Sequence, residues 1–364
     1  MKDRKISEQL VTDYHLMAFV SKYFYILASL ILTGYLLIVA KFLINPLLAA
    51  FILALSLNPL VNWLENHKIP RIFSTLLTVF LLMAFILAMI VFFGAQVGAM
   101  DFEFGDLNKK FNGIAGKAQH FLSRILGVSP EEQVTLMRES LLNFLKNSAS
   151  VLNNTVSFTT QFLSGFVLFI LALFFFLYYR RFFVLFLYQL FNKKQHSGLN
   201  HILRKTQSAV NHYIFGLSLV IVIVAILNSS GLLLLGIENA ITFGVFAAIL
   251  TLVPYVGILI GSLIPALFAL LTKDSLWFAA GVIFVFALVQ FLEGNLLTPN
   301  IVGRQVRINP FAAILGLIIG GMLLGMVGII FALPVLAIIK VICDEFSALK
   351  PIGFLLGQPE ELNK

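Results

Sequence analysis

Between Ala240 and Leu271 the chain runs for 32 residues without one charged side chain. As a single α-helix that run would reach about 48 Å at 1.5 Å per residue, well past the roughly 30 Å of hydrocarbon that about 20 apolar residues cross. Seven further apolar segments accompany it: Tyr23 to Ile44, Pro46 to Leu64, Ile72 to Phe93, Thr159 to Tyr179, Gly216 to Leu235, Leu276 to Leu292 and Phe311 to Ile339. Only 12% of the 364 residues are charged and 60% are hydrophobic, against about 25% charged in an ordinary soluble domain. Too little polar surface remains to cover a globule, so the bilayer must cover it. The reading is an all-α polytopic membrane protein of about eight transmembrane segments. Pro254 and Gly257 stand near the middle of the over-long run, and they predict a broken or re-entrant helix there.

The organisation follows from where charge returns. Residues 1–22 are polar and precede the first span with no cleavable apolar segment, so an uncleaved anchor with a cytoplasmic N-terminal segment is expected. Spans 1–3 occupy 23–93. Residues 94–158 carry both signs of charge and two helical stripes, Phe111, Ile114, Ala118, Phe121, Leu122, Ile125 and then Val134, Met137, Leu141, Phe144, Leu145. The second opens on Ser129-Pro130 with Glu132 completing a capping box, and the whole reads as an extracytoplasmic amphipathic helical insert. Span 4 follows at 159–179.

A basic segment, 180–215, carries Arg180, Arg181, Lys193, Lys194, Arg204 and Lys205 with no acidic residue, and is assigned to the cytoplasm by the positive-inside rule. The loop with Lys68 and Arg71 and the N-terminus agree with it. A C-terminal transmembrane core, 216–340, and a tail, 341–364, complete the chain. The location is a plasma membrane, most simply a bacterial inner membrane. The charge of +8 belongs beside the spans, which argues for orientation in the bilayer and against nucleic acid.

Polar and small residues inside the apolar runs are the candidate functional positions. "PYVGILIGSLIP" holds Pro254, Gly257, Gly261 and Pro265; it serves helix packing alone, or a broken helix whose freed backbone groups line a pathway. Asn228 interrupts the fifth span. In "VQFLEGNLLTPNIVGR", Gln290, Glu293 and Asn295 stand where hydrocarbon is expected, and a carboxylate there costs about 2.5–3.5 kcal/mol on insertion scales. Either the helix ends at Leu292, with Gly294 beyond it and Glu293 among headgroups, or Glu293 meets an ion, a proton or a basic partner such as Arg304 or Arg307. "GLIIGGMLLGMVG" carries Gly316 and Gly320 four apart, Gly321 and Gly325 four apart, and then Gly328, with Pro334 beyond, and reads as a close-packing face for a pore wall or a subunit interface.

Enzyme chemistry finds no support. All six histidines lie outside the long apolar runs, and neither HExxH nor GxxxxGK[ST] occurs. One cysteine, Cys343, excludes an internal disulfide or a CxxC site. No cofactor or metal site is indicated.

Three stretches in order, "TLVPYVGILIGSLIP", "QFLEGNLLTPNIVGR" and "NPFAAILGLIIGGMLLGMVGIIFALP", resemble the C-terminal signatures of the autoinducer-2 exporter family, also called PerM-like permeases. "FILALSLNPLV" in the N-terminal half is similar more loosely. The resemblance implies a polytopic, often homo-oligomeric transporter with an extracytoplasmic insert between spans 3 and 4. By motif it marks Pro254, Gly257, Gly261, Glu293, Asn295, Pro299, Gly303, Pro310, Gly320, Gly321 and Gly328. The expected function is export of a small polar solute, such as an autoinducer-2-like signal, passive or ion-coupled. The alternatives are a monovalent cation/proton antiporter and a non-transporting membrane scaffold. The expected partners are the lipid bilayer, the solute or ion carried, and further copies of the chain.

Overall fold

The computed structural model describes residues 21, 23–98, 155–191, 196–253, 256–273, 275–303 and 308–358. The predicted insert helices, the N-terminal segment, Pro254, Arg304 and Arg307 lie outside the described residues. What is described is helical, the one β-bridge joining Ile308 to Gly357.

The helices are α1 (Tyr23–Val39), α2 (Lys41–Asn66), α3 (Arg71–Gly98), α4 (Thr155–Tyr178), α5 (Arg180–Leu190), α6 (His196–Leu234), α7 (Ala240–Leu250), α8 (Val256–Thr272), α9 (Leu276–Leu292), α10 (Pro310–Leu324), α11 (Met326–Glu345) and α12 (Lys350–Leu356). Two π-helical turns, Glu293–Leu297 and Pro299–Gly303, follow α9. By length and composition five helical runs can cross a membrane, or six if the bent pair α4 and α5 is one, with α1, α7, α8 and α10 as shorter apolar helices.

Several boundaries differ from those the sequence suggests. Pro46 does not separate two spans; α2 runs through it and through Pro59, and the break falls at Ala40. Asn228-Ser229-Ser230 does not interrupt a helix either, since α6 continues for 39 residues. At about 1.5 Å per residue that is longer than the hydrocarbon layer, so its first turns, which carry Arg204 and Lys205, project beyond it.

The uncharged run from Ala240 to Leu271 is broken as expected, and the break makes a hairpin. Gly257 lies against the Leu250 carbonyl, a Cβ on Gly261 would stand 2.9 Å from that of Ala247, and the Phe243 and Phe268 rings lie 5.0 Å apart. The partner number falls as the other rises, which is antiparallel packing. At 11 residues α7 is too short for a span of about 20 residues, and the antiparallel return of α8 along it brings both ends of the hairpin to one end of the molecule. Pro265 is fully buried within α8. Leu232 of α6, Ala247 of α7, Ala269 of α8 and Val282 of α9 share one buried core.

The last apolar run also folds back, at Gly325. That residue has φ +65° and ψ −141°, a conformation open to glycine and strained for other residues, and nothing within 4 Å would meet a Cβ there. Gly325 is therefore a turn, not part of a packing face. The glycines around it close the hairpin between α10 and α11: a Cβ on Gly320 would come 2.6 Å from the Gly328 carbonyl oxygen, and Gly316 faces Leu336. Pro334 is buried in α11. Asn309 caps α10 by accepting from Ala312 N at 2.8 Å, with Pro310 in the first turn.

Polar bonds fix the ends of the bundle. Arg180 joins Glu65 at 2.8 Å and Lys205 joins Glu345 at 3.3 Å. Elsewhere, Thr242 Oγ1 donates to Gln96 Oε1 at 3.0 Å and Asn45 Nδ2 donates to the Leu324 carbonyl at 3.1 Å. Because Asn45 and Glu65 stand near opposite ends of α2, the tip of the α10–α11 hairpin lies at the end opposite the Arg180 pair.

Candidate functional site

The helix that carries Glu293 does not stop at Leu292. Leu276–Ile301 forms one run of 26 residues, and Glu293 stands eight residues before its end, where winding changes from α to π. Such π turns are rare and concentrate at functional positions. Gly294 lies inside the turn, exposed, rather than ending the helix.

The wider winding alters which side chains meet. Gln290 Nε2 donates to Glu293 Oε2 at 2.7 Å, the three-residue spacing of ordinary helix neighbours. Thr298 Oγ1 donates to the other oxygen, Glu293 Oε1, five residues on, which a regular α-helix would carry to another face. Both oxygens of the half-buried carboxylate therefore have a donor supplied by their own helix. Asn295 and Asn300 do not join them. Their side-chain amides donate to the Phe291 and Leu296 carbonyls at 2.9 and 2.8 Å, each serving the backbone of the π turns.

Gln290 links this carboxylate to a small cavity of about 10 Å³, lined by Val224, Asn228, Ala247, Thr251, Ile258, Phe286, Val289 and Gln290. That is about room for one water. Its walls come from α6, from both sides of the broken hairpin and from α9. Asn228 is 2% exposed, and its Oδ1 has no hydrogen-bond partner among the described residues. A buried carbonyl oxygen left unmet costs about 1–3 kcal/mol, so this is an expensive group to keep in an apolar core. Thr251 Oγ1 donates to the Ala248 carbonyl at 2.6 Å, just where α7 ends and the cavity begins.

Of the residues singled out from sequence, the structure brings Asn228 and Gln290 to one cavity and Glu293 to Gln290. Gly257 and Gly261 stand behind it, letting α8 close on α7. Asn295 is exposed, Pro299 starts the second π turn and Gly303 ends it. Pro265, Gly316, Gly320, Gly321, Gly328, Pro310 and Pro334 belong to helix packing and ends away from the cavity. Thr251 and Thr298 complete the arrangement and were not distinguished in the sequence, where hydroxyl residues are common within apolar helices.

Comparison with known proteins agrees on one family. The profile described as AI-2E family transporter matches residues 27–348. The Bacillus subtilis protein YrrI is 34% identical over 148 residues, 41% of each chain. YueF of Bacillus subtilis is 30% identical over 306 residues, 81% of this chain and 82% of its own. The AI-2 transport protein TqsA of Escherichia coli is 25% identical over 333 residues, 88% of this chain and 90% of its own.

Proposed function

The chain belongs to the AI-2E family of membrane transporters, and on that premise we propose that it exports a small polar solute along the polar seam from Asn228 to Glu293. One observation supports the reading: Asn228 and Gln290 line one small cavity beside the break between α7 and α8, and Gln290 donates to Glu293. Polar groups at that depth are costly and characteristic of solute pathways. A carboxylate with two replaceable donors, Gln290 and Thr298, can exchange one of them for a hydroxyl of a passing solute or for a proton.

The relative TqsA is named for AI-2 transport, which makes AI-2 the first substrate to test on this chain. The reading includes a multi-pass protein of a bacterial inner membrane, its N-terminus and basic loops cytoplasmic, working as a homo-oligomer.

Release of AI-2 from proteoliposomes, with and without an imposed proton or sodium gradient, tests this. Efflux above that of protein-free vesicles, and lost in Glu293→Gln, is expected, and acceleration by one gradient would identify the coupling ion. Efflux equal to empty vesicles under every gradient would remove AI-2. Normal efflux from the Gln variant would remove the pathway.

A further inference from the structure

Outside that seam, α4 bends by 66° into α5. No residue of α5 is buried, and Phe182, Leu185, Phe186 and Leu190 are each at least 50% exposed. A helix turned out of the bundle, uncovered on its apolar side and led by Arg180 and Arg181, has the make-up of one lying in the membrane interface.

Beside its start one carboxylate serves two guanidiniums. Glu65 Oε2 takes Arg180 Nη2 at 2.8 Å and Arg181 Nη2 at 2.9 Å. Arg180 also donates to Asn62 Oδ1 at 2.9 Å and to the Leu177 carbonyl at 3.1 Å. A third guanidinium, that of Arg71 at the start of α3, lies over the Tyr178 ring, 5.1 Å from its centroid. Its Nε and Nη2 are buried and have no hydrogen-bond partner among the described residues. Those two atoms are one edge of the planar fork that grips a phosphate or carboxylate with two parallel bonds. Glu65 does not close it, since its Oε1 is itself buried without a partner. Three cations against one anion leave the cluster with two uncompensated positive charges.

We infer that Arg71, together with Arg180 and Arg181, holds the phosphate of an anionic phospholipid headgroup. The unmet fork lies at the end of α3 and α4, at the level where α5 leaves the bundle, so acyl chains of the same lipid can cover the apolar side of α5. The N-terminus of α3 adds a favourable dipole for an anion. A soluble anion would satisfy the fork without touching the apolar side of α5.

The test uses the full chain purified in detergent, with lipid retention read by native mass spectrometry and stability by thermal melting. Phosphatidylglycerol should be retained and should raise the melting temperature, while phosphatidylcholine and inorganic phosphate at equal concentration should not. Arg71→Lys keeps the charge and removes the fork, and should weaken phosphatidylglycerol retention roughly tenfold. Equal retention by wild type and Arg71→Lys, or of both lipids, overturns the inference. An equal shift from inorganic phosphate overturns the lipid assignment in favour of a soluble anion. Should Arg71→Lys not fold, Arg181→Gln, whose side chain is 69% exposed, carries the test, and unchanged retention there overturns it.

Discussion

Gln290 donates to Glu293 at 2.7 Å across the point where α9 gives way to a π turn. The same residue also lines the cavity shared with Asn228. On the proposed pathway, exchange at Glu293 would free the Gln290 amide from this bond.

Glu293→Gln keeps the shape of the side chain and deletes its charge. A hydrogen bond to a charged group contributes about 1.5–3 kcal/mol, so flux in proteoliposomes should fall at least about tenfold. Expression and size in detergent should match wild type. Glu293→Asp keeps the charge and withdraws it from Gln290 and Thr298, and should retain partial flux. Full activity in the Gln variant would refute a charge-dependent step.

Asn228 should separate stability from function. Its unmet Oδ1 is a standing cost, so Asn228→Leu is expected to melt no lower than wild type, and up to about 1 kcal/mol more stable. Its flux should nonetheless drop severely, because the seam loses its innermost polar group. A variant that transports normally would show the residue to be packing alone.

What the sequence allowed and what it hid divide along physical lines. Asn228, Gln290 and Glu293 stood out because a polar group in hydrocarbon is costly wherever the helix turns. The break near Pro254 stood out because 32 uncharged residues exceed one crossing. Thr298 was hidden, since its contact with Glu293 depends on π winding, and five residues is the wrong interval for an α-helix. Gly325 was misread for a related reason. Its distance of four from Gly321 matches a packing face, while its positive φ, visible only in the backbone, makes it the turn of a hairpin with no polar residue to announce it. The basic segment after span 4 was legible as charge and not as structure: Arg180 and Arg181 stand on α5, and Arg204 and Lys205 on α6.

Orientation can be checked without any substrate. With Cys343 replaced, a cysteine at Lys68, in the α2–α3 connection, should be protected from an impermeant thiol reagent applied to intact cells. One at Glu238, between α6 and α7, should react, because α6 starts in the basic segment and crosses once. The opposite pattern would invert the protein in the membrane.

Close backbone approach at the α7–α8 hairpin sets a steep penalty. Any Cβ at Gly257 would overlap the Leu250 carbonyl, and a rigid backbone atom cannot move aside as a side-chain end can. Gly257→Ala should therefore lower stability by about 1–3 kcal/mol or more. Gly294→Ala is the control, as nothing lies within 4 Å of its added methyl, and it should stay within about 0.5 kcal/mol of wild type. Equal melting of the two would mean that the hairpin is looser than its packing requires.

Glycines of the last apolar run decide between a fold contact and a subunit contact. A Cβ at Gly321 would stand 3.0 Å from Ile329 Cγ1, and Gly328 lies against the Gly320 carbonyl, all within one chain. These small residues are thus already used in closing α10 on α11, which is how membrane helices without a hydrophobic drive between them gain contact. Gly321→Leu should lower the melting temperature by forcing Ile329 aside, at a cost of about 1–3 kcal/mol. Gly328→Ala, which meets backbone, should cost at least as much despite adding only a methyl. In both variants the particle size in detergent should stay that of wild type, because an interface between copies would use other surfaces. Loss of the oligomer at unchanged melting temperature would place the glycine face between subunits instead.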